Sequence, residues 1–389
     1  MDVYASGAAC YASGTSCNGP YDYSDIFGWV FDQPSYALGP NGNPFVSTFS
    51  SGGFVNTEWL DWKKSIGRDI YFCPDFDETD GYYNGTAALP GWWYYWGPVV
   101  DCIFSWETSW PKRSTPMPDP NPNIGAAFPG DVTMDEMVQA GALANEADYM
   151  MGLSSLQYKN SYGANVFRQG GLTLPARMAN IFGMSAGPDY IEIQTWNDGP
   201  EGHNIGNVWP EENSDLQPSF YMKDHTAWQP LIASFIEAWK AGGSVGSMRV
   251  PSYLSSSNNI GVGALWYQAL PMNAKCPYDD GIVNGSTTFS FWEKPFGFDA
   301  GDDLVYWAFV LEPAFVGGSL EIYSGSVLFE VVMLDTAGLS YASFARSPGP
   351  QAILLKDPSG NVLMGASGGE CVYGDEECLR YIYDMNFSV

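Results

Sequence analysis

Two carboxylates three positions apart follow an apolar run near the middle of the chain. Asp198 and Glu201 lie in the segment IEIQTWNDGPEGH (191–203), which also holds one of the two histidines of the protein. A pair of acidic side chains on one loop can supply both a proton donor and a proton acceptor for catalysis. The alternative is a hydrogen-bonding turn, because Asn, Asp, Gly and Pro are ordinary turn residues.

The composition predicts a large folded chain and argues against anionic partners. The 389 residues are 45% hydrophobic and 16% aromatic, which is enough for a sizeable core. Sixteen Lys and Arg against 44 Asp and Glu give a net charge of -28. That charge argues against nucleic acid or an anionic membrane as a partner, since both require basic patches. The 15 Trp and 24 Tyr suit sugar rings, which pack on aromatic planes, although protein cores use the same residues.

Strand-like and helix-like segments alternate in the first half. The predicted strands are PFVSTF (44–49), DIYFCPDF (69–76), VVDCIFSW (99–106), DYMMGL (148–153) and DYIEIQTW (189–196). One predicted helix ends at Gly67, and another opens with the capping-box spacing of Thr133 and Glu136. A third has a helical apolar face made of Trp228, Leu231, Ile232, Phe235, Ile236 and Trp239. This alternation predicts βαβ units and a parallel sheet.

The second half, from about Gly261, has a different pattern. Short β runs are separated by Gly, Pro and Asp turns without a helical period, which predicts a β-sandwich. A Ser- and Asn-rich segment precedes it, so we predict a linker at 246–259 and a β-rich unit at 260–389.

Polar and aromatic residues follow the predicted strands of the first half. The segments CPDF, FSWETSW, SLQYKNSY and TWNDGPE each come after a strand. Because parallel α/β folds carry their active sites at the carboxyl ends of the strands, these segments are expected to share one rim.

The cysteines indicate oxidation rather than metal binding. Two pairs, Cys10 with Cys17 and Cys371 with Cys378, could each close a small loop. Neither spacing resembles a zinc site and the chain has only two histidines, so no metal and no other cofactor is expected. Three N-x-S/T sequons begin at Asn84, Asn284 and Asn386 and, with the cysteines, favour a secreted chain.

Several motifs together resemble a known enzyme family. FVSTFSSGGF, IYFCPDF, GWWYYW, DCIFSWETSW and above all YIEIQTWNDGPEGH are similar to the fungal α-1,3-glucanases, or mutanases, of glycoside hydrolase family 71. The resemblance implies a (β/α)8 barrel, here 1–245, followed by the β-sandwich, and hydrolysis of α-1,3-glucan with inversion. Two departures stand out. Gly199 and Pro200 replace the Tyr-Gly of the usual W-N-D-Y-G-E motif. The family also has three further strands before the match, one of them ending in an active-site Asp. Residues 1–23 do not resemble these strands, so the barrel is expected to be incomplete at its N-terminus.

The resemblance and the residue types together give each candidate a role. A glycosidic bond is broken by one carboxylic acid that protonates the leaving oxygen and a second carboxylate that acts as base or nucleophile. We assign Glu201 as the general acid and Asp198 as the base-side carboxylate. The expected substrate contacts are Asp75, Trp106, Trp110, Tyr158, Trp196, Asn197 and His203. For the Trp residues and Tyr158 the alternative is packing, for His203 a structural role, and for Asp75 an ordinary turn.

The sequence therefore predicts a secreted or cell-wall α-1,3-glucan hydrolase, monomeric, with a polysaccharide as its partner. The alternative from another class is a non-catalytic α-glucan-binding or cell-wall protein that lost activity with its first strands.

Overall fold

The computed structural model describes 1–3, 18–83, 90–112, 124–161, 164–168, 170–199, 201–206, 225–254, 260–273, 303–368 and 371–372. Within these ranges, no helix has both the length and the apolar character needed to cross a bilayer. The three sequons and Cys10, Cys17 and Cys378 lie outside them, so the predicted sites of glycosylation and cysteine pairs are not described.

The described part is mixed α/β. Its helices are α1 (Ser24–Val30), α2 (Asn56–Ser65), α3 (Pro90–Trp96), α4 (Thr133–Ala144), α5 (Thr173–Gly183) and α6 (Trp228–Lys240). Its strands are β1 (Phe45–Ser47), β2 (Tyr71–Cys73), β3 (Cys102–Ser105), β4 (Asp148–Leu153), β5 (Gln157–Ser161), β6 (Ala164–Arg168), β7 (Tyr190–Ile193), β8 (Gly261–Tyr267), β9 (Leu304–Leu311), β10 (Gly318–Ser324), β11 (Val327–Leu334), β12 (Gly338–Ala345), β13 (Gln351–Lys356) and β14 (Val362–Ser367). Short 3-10 helices span Gly19–Tyr23, Glu107–Ser109, Val245–Ser247, Ser252–Leu254 and Pro313–Phe315.

The five predicted strands of the first half are confirmed and run parallel. β1 pairs with β2, and β3, β4 and β7 form a second ladder in that order. Backbone hydrogen bonds connect the two groups, from Asp101 N to the Phe72 carbonyl (2.9 Å) and from Phe104 N to the Pro74 carbonyl (3.1 Å). A disulfide between Cys73 and Cys102 also joins β2 to β3. The carboxyl ends of these strands therefore face one rim, as the sequence predicts.

The helices cover this sheet with aromatic side chains. Trp59 and Trp62 of α2 and Trp228 of α6 are fully buried. Gly67, just past the end of α2, has a φ of +74°, the left-handed conformation expected of a helix-terminating glycine.

The predicted capping box at α4 is wrong. Thr133 is the first residue of the helix and does not cap it. The carboxylate of Asp131 instead accepts hydrogen bonds from Thr133 N (3.0 Å) and Thr133 Oγ1 (2.7 Å). The N–H groups of the first helical turn have no partner within the helix, and the Asp131 carboxylate supplies one for Thr133.

Two antiparallel sheets form within the described part of the second half. One has the order β12-β9-β8 and the other β11-β10-β13-β14. Successive side chains of β9 point to opposite faces: Trp307 and Phe309 pack in the core between the two sheets, whereas Tyr306 and Ala308 belong to the core that includes α5 and α6. The β8–β9–β12 sheet therefore contributes to two cores.

The described part of the segment before these sheets, 246–254, contains both exposed and buried residues. Met248 and Val250 are buried, and Val250 N donates a hydrogen bond to Glu312 Oε1 (2.8 Å). The division into 1–245, 246–259 and 260–389 stays a prediction.

Candidate active site

The loop after β7 is held in shape by its own polar groups. Thr195 N donates to the His203 carbonyl (3.0 Å), which closes the loop at its base. Thr195 Oγ1 accepts the Asp198 N–H (3.1 Å), and Asp198 Oδ1 accepts the Glu201 N–H (3.2 Å). Gly202 has a φ of +73°, which permits the chain to reverse direction there. The hydrogen-bonding turn proposed as an alternative is thus present, and it also holds the two acids together.

Asp198, Glu201 and His203 form a compact group at this rim. One side-chain oxygen or nitrogen of each lies within 4.8 Å of the others. The two acids are half-buried and His203 is fully buried. His203 Nε2 lies 3.3 Å from Glu201 Oε2, and its Nδ1 lies 3.2 Å from Thr195 Oγ1. These donor groups are close enough to share a cation, but the geometry equally suits a hydrogen-bonded acid site.

A residue that the sequence did not single out completes the group. Gln157, the first residue of β5, donates a hydrogen bond from Nε2 to Glu201 Oε2 (2.7 Å). The backbone N–H of the next residue, Tyr158, donates to the Glu201 carbonyl (2.9 Å). β5 therefore fixes both the backbone and the side chain of Glu201. The only signal in the sequence is a polar Gln between Leu156 and Tyr158.

Aromatic rings pack behind the acids. The Trp110 ring lies 5.2 Å from the His203 ring, and the half-buried Trp106 ring lies 6.1 Å from each of them. The Arg168 guanidinium lies 5.5 Å from the centre of the Trp110 ring and forms a buried ion pair with Glu107. His203 thus packs against two Trp rings, one of which is backed by a buried cation.

A second group of acids lies at the ends of β2 and β3. Asp75 is buried and accepts hydrogen bonds from the backbone N–H groups of Ser50 (3.1 Å) and Asp77 (3.2 Å). Burial raises the pKa of Asp75 well above its usual range, and the charge of Asp77 adds to this. Burial and the Glu107 carboxylate raise the pKa of Asp77 to about 6, although Tyr83 and the Glu107 N–H donate to it.

The predicted substrate contacts divide by exposure. Trp196 is 61% exposed and Asn197 is also exposed, so both are open to a ligand beside the acids. Trp106 is half-buried at the same rim. Four others are buried and face no solvent in this structure, so direct contact with a sugar stays a prediction for them: Asp75, Trp110, Tyr158 and His203.

The sequence profile described as "Glycosyl hydrolase family 71" matches residues 13–389. The chain therefore belongs to glycosyl hydrolase family 71, and the resemblance stated from the motifs is confirmed.

Two curated relatives make the likeness more specific. Glucan endo-1,3-alpha-glucosidase agn1 of Schizosaccharomyces pombe is 29% identical over 264 residues, which are 64% of this chain and 52% of that protein. Mutanase Pc12g07500 of Penicillium rubens is 25% identical over 207 residues, 52% of this chain and 39% of that protein. The chain thus matches about half the length of the first relative and less of the second. Among solved structures, a GH99 endo-alpha-mannosidase from Bacteroides thetaiotaomicron aligns with a TM-score of 0.39 and 11% identity, over 58% of this chain and 62% of that one.

Proposed function

We propose that the chain hydrolyses α-1,3-glucosidic bonds in a polysaccharide of the fungal cell-wall type. The observation that carries this proposal is the group of Asp198, Glu201 and His203 at the carboxyl end of β7, beside the exposed Trp196. Membership of family 71 and the names of the two relatives support the α-1,3 linkage as the target.

In the proposed reaction Glu201 is the general acid. It donates its proton to the glycosidic oxygen as the bond to the anomeric carbon breaks. Asp198 takes a proton from the water that attacks this carbon, so each carboxyl group changes its protonation state once. Trp196 and Trp106 offer ring faces for the sugar, and Asn197 offers an amide to its hydroxyls.

The stereochemical outcome depends on the spacing of the two acids. Inverting enzymes hold their carboxyl groups about 6.5–9.5 Å apart, and retaining enzymes about 5–5.5 Å. The nearest side-chain oxygens of Asp198 and Glu201 lie within 4.8 Å. Because two carboxyl groups lie farther apart than their nearest oxygens, this spacing is compatible with inversion, which the family resemblance implies and which we propose here, with a water bound between the two groups.

The proposal extends to architecture and location. The five parallel strands are proposed as part of a (β/α)8 barrel, and the two antiparallel sheets as a β-sandwich accessory domain. We propose a monomer located outside the cell or in the wall. The Cys73–Cys102 disulfide supports this location, because such bonds persist in oxidising compartments.

The test is release of reducing sugar from insoluble α-1,3-glucan by the purified chain, with β-1,3-glucan and starch as specificity controls. Asp198→Asn and Glu201→Gln should each lower turnover by about 10²–10⁴-fold. Glu330→Gln, an exposed acid on β11, is the matched control and should have no effect. Unimpaired hydrolysis by either site variant would remove that residue from the mechanism. Binding to α-1,3-glucan without hydrolysis would favour the non-catalytic alternative.

NMR of the first product decides the stereochemistry. Inversion at an α-linkage releases β-configured sugar first. An α-anomer appearing first would refute inversion and indicate a covalent intermediate.

A further inference from the structure

Two nitrogen atoms lie against the same oxygen of Glu201. Gln157 Nε2 donates to Oε2 at 2.7 Å, and His203 Nε2 lies 3.3 Å from it. Gln157 is only 4% exposed, and its own Oε1 has no hydrogen-bond partner among the described residues. The contact with Glu201 is therefore the interaction that orients this amide.

A primary amide nitrogen can only donate hydrogen bonds. Gln157 donates its N–H to Oε2, and His203 does the same in the tautomer that carries its hydrogen on Nε2. An oxygen that accepts these hydrogen bonds is the poorer site for a proton, so a proton on the carboxyl group is favoured on Oε1. We propose that Gln157 is a positioning residue that directs the acidic proton of Glu201 to Oε1. This inference deepens the proposed function and rests on it for the role of Glu201 as the acid.

Among the described residues, two ionisable groups lie beside Glu201. Asp198 and His203 face it from the same loop, and Gln157 faces it from β5. The Arg168–Glu107 ion pair lies further back, behind the Trp110 ring that packs on His203. Because Gln157 is uncharged at every working pH, its effect on Glu201 differs from that of the ionisable neighbours.

Two isosteric variants test the role of the donor. Gln157→Met keeps the length of the side chain but removes the N–H, and Gln157→Glu keeps the shape but places a carboxylate oxygen against Glu201. Hydrogen bonding to the charged form of an acid favours that form. The pKa of Glu201 should therefore be higher in Gln157→Met than in the unaltered chain, and higher still in Gln157→Glu.

The primary measurement is NMR titration of protein labelled with [5-¹³C]glutamate, in which Glu201→Gln identifies the Glu201 signal. Gln139→Met is the matched control, because Gln139 is also a buried glutamine with a described side-chain hydrogen bond, to the Gly187 carbonyl ahead of β7. It should leave the Glu201 titration unchanged. Thermal melts establish that each variant is folded, and Gln157→Asn, whose amide is one methylene too short, replaces Gln157→Met if the latter does not fold.

Kinetics on a soluble α-1,3-linked glucose oligosaccharide give a second measurement. We expect Gln157→Met to lower kcat by about 10–100-fold with little change in KM, because the acid is misplaced rather than the sugar. The alkaline limb of the pH profile should move to higher pH. Unchanged titration in both isosteric variants refutes the inference. A lower pKa in Gln157→Met refutes it too, since the amide oxygen would then be the atom facing Glu201. If the unaltered chain shows no hydrolysis, the proposed function fails, whereas the NMR comparison still tests Gln157.

Discussion

Replacing Arg168 with Met should destabilise the protein strongly, and more at neutral than at acidic pH. The Arg168 side chain is 1% exposed and its ion-pair partner, the Glu107 side chain, is 9% exposed. Arg168 Nη1 also donates to the Glu107 carbonyl (3.3 Å). Removing the guanidinium leaves a buried carboxylate next to Asp77, which already accepts the Glu107 N–H (2.8 Å).

The expected loss follows from the geometry. Removing one partner of a buried ion pair costs about 3–5 kcal/mol. Arg168 also makes a cation–π contact with the Trp110 ring, and its loss should lower the free energy of unfolding by about a further 0.5–2 kcal/mol. Since folded domains are stable by only about 5–15 kcal/mol, this substitution removes a large share of the free energy of unfolding.

The pH dependence has a definite sign. Without Arg168, the pKa of Glu107 in the folded state rises above its unfolded value. The folded state then binds a proton that the unfolded state releases, so stability falls as pH increases between the two values. The destabilisation should therefore be larger at pH 7 than near pH 4.5. Arg168→Met combined with Glu107→Gln should recover part of the loss, because position 107 then carries no unpaired buried charge.

Urea denaturation followed by tryptophan fluorescence measures these differences. Arg346→Met is the matched control: Arg346 is equally buried, but its partner Asp303 has a side chain 43% exposed, so water can solvate the remaining carboxylate. It should cost less. A loss below about 1 kcal/mol for Arg168→Met, equal at both pH values, would refute the argument.

Three further predictions address other parts of the structure. The pKa of Asp77 is raised to about 6 in the folded protein, so the free energy of unfolding should fall as pH rises from about 4 to about 6, because the folded state then holds a proton that the unfolded state releases. Urea denaturation across that range should show a flatter dependence for Asp77→Asn. The disulfide joins Cys73 and Cys102 across 29 residues, so replacing both with Ala should lower the free energy of unfolding by about 3.5 kcal/mol. An unchanged midpoint of urea denaturation would contradict this prediction. Trp196 is 61% exposed, so Trp196→Ala should weaken retention on insoluble α-1,3-glucan while leaving the melting temperature unchanged; equal retention would exclude Trp196 as a sugar platform.

The strands and the acid loop were predictable because each rests on a local pattern. A strand of a parallel sheet is buried on both faces and therefore reads as a continuous apolar run, such as DYMMGL. The predicted bounds of this run are the same as those of β4. The pairing of Asp198 with Glu201 was visible because both lie on one loop. The likeness to family 71 depends on motifs that retain their order along the chain, and it is confirmed at the level of the family.

The rest of the site depends on contacts between residues far apart in sequence. Gln157 meets Glu201 across 44 positions, and Arg168 meets Glu107 across 61. Gln157 is marked only as a polar residue between Leu156 and Tyr158, and Arg168 lies in no recognisable motif, so the local sequence does not reveal their partners. The Cys73–Cys102 bond was missed for the same reason: its partners are close only because β2 and β3 are neighbours. Asp75 was expected at the open rim, whereas backbone donors from two loops enclose it.

The sheet formed by β8, β9 and β12 has a consequence for how the chain can evolve. Alternate residues of β9 serve different cores, with Tyr306 on one side and Trp307 on the other. Trp266 of β8 reaches across and donates a hydrogen bond to the Gly171 carbonyl (3.0 Å), at the start of α5. Recombination cannot readily exchange such a sheet for another, because the new sheet would have to pack against both the helical core and the core between the two sheets. The two halves are therefore expected to change together during divergence, with compensating substitutions on opposite faces of a single strand.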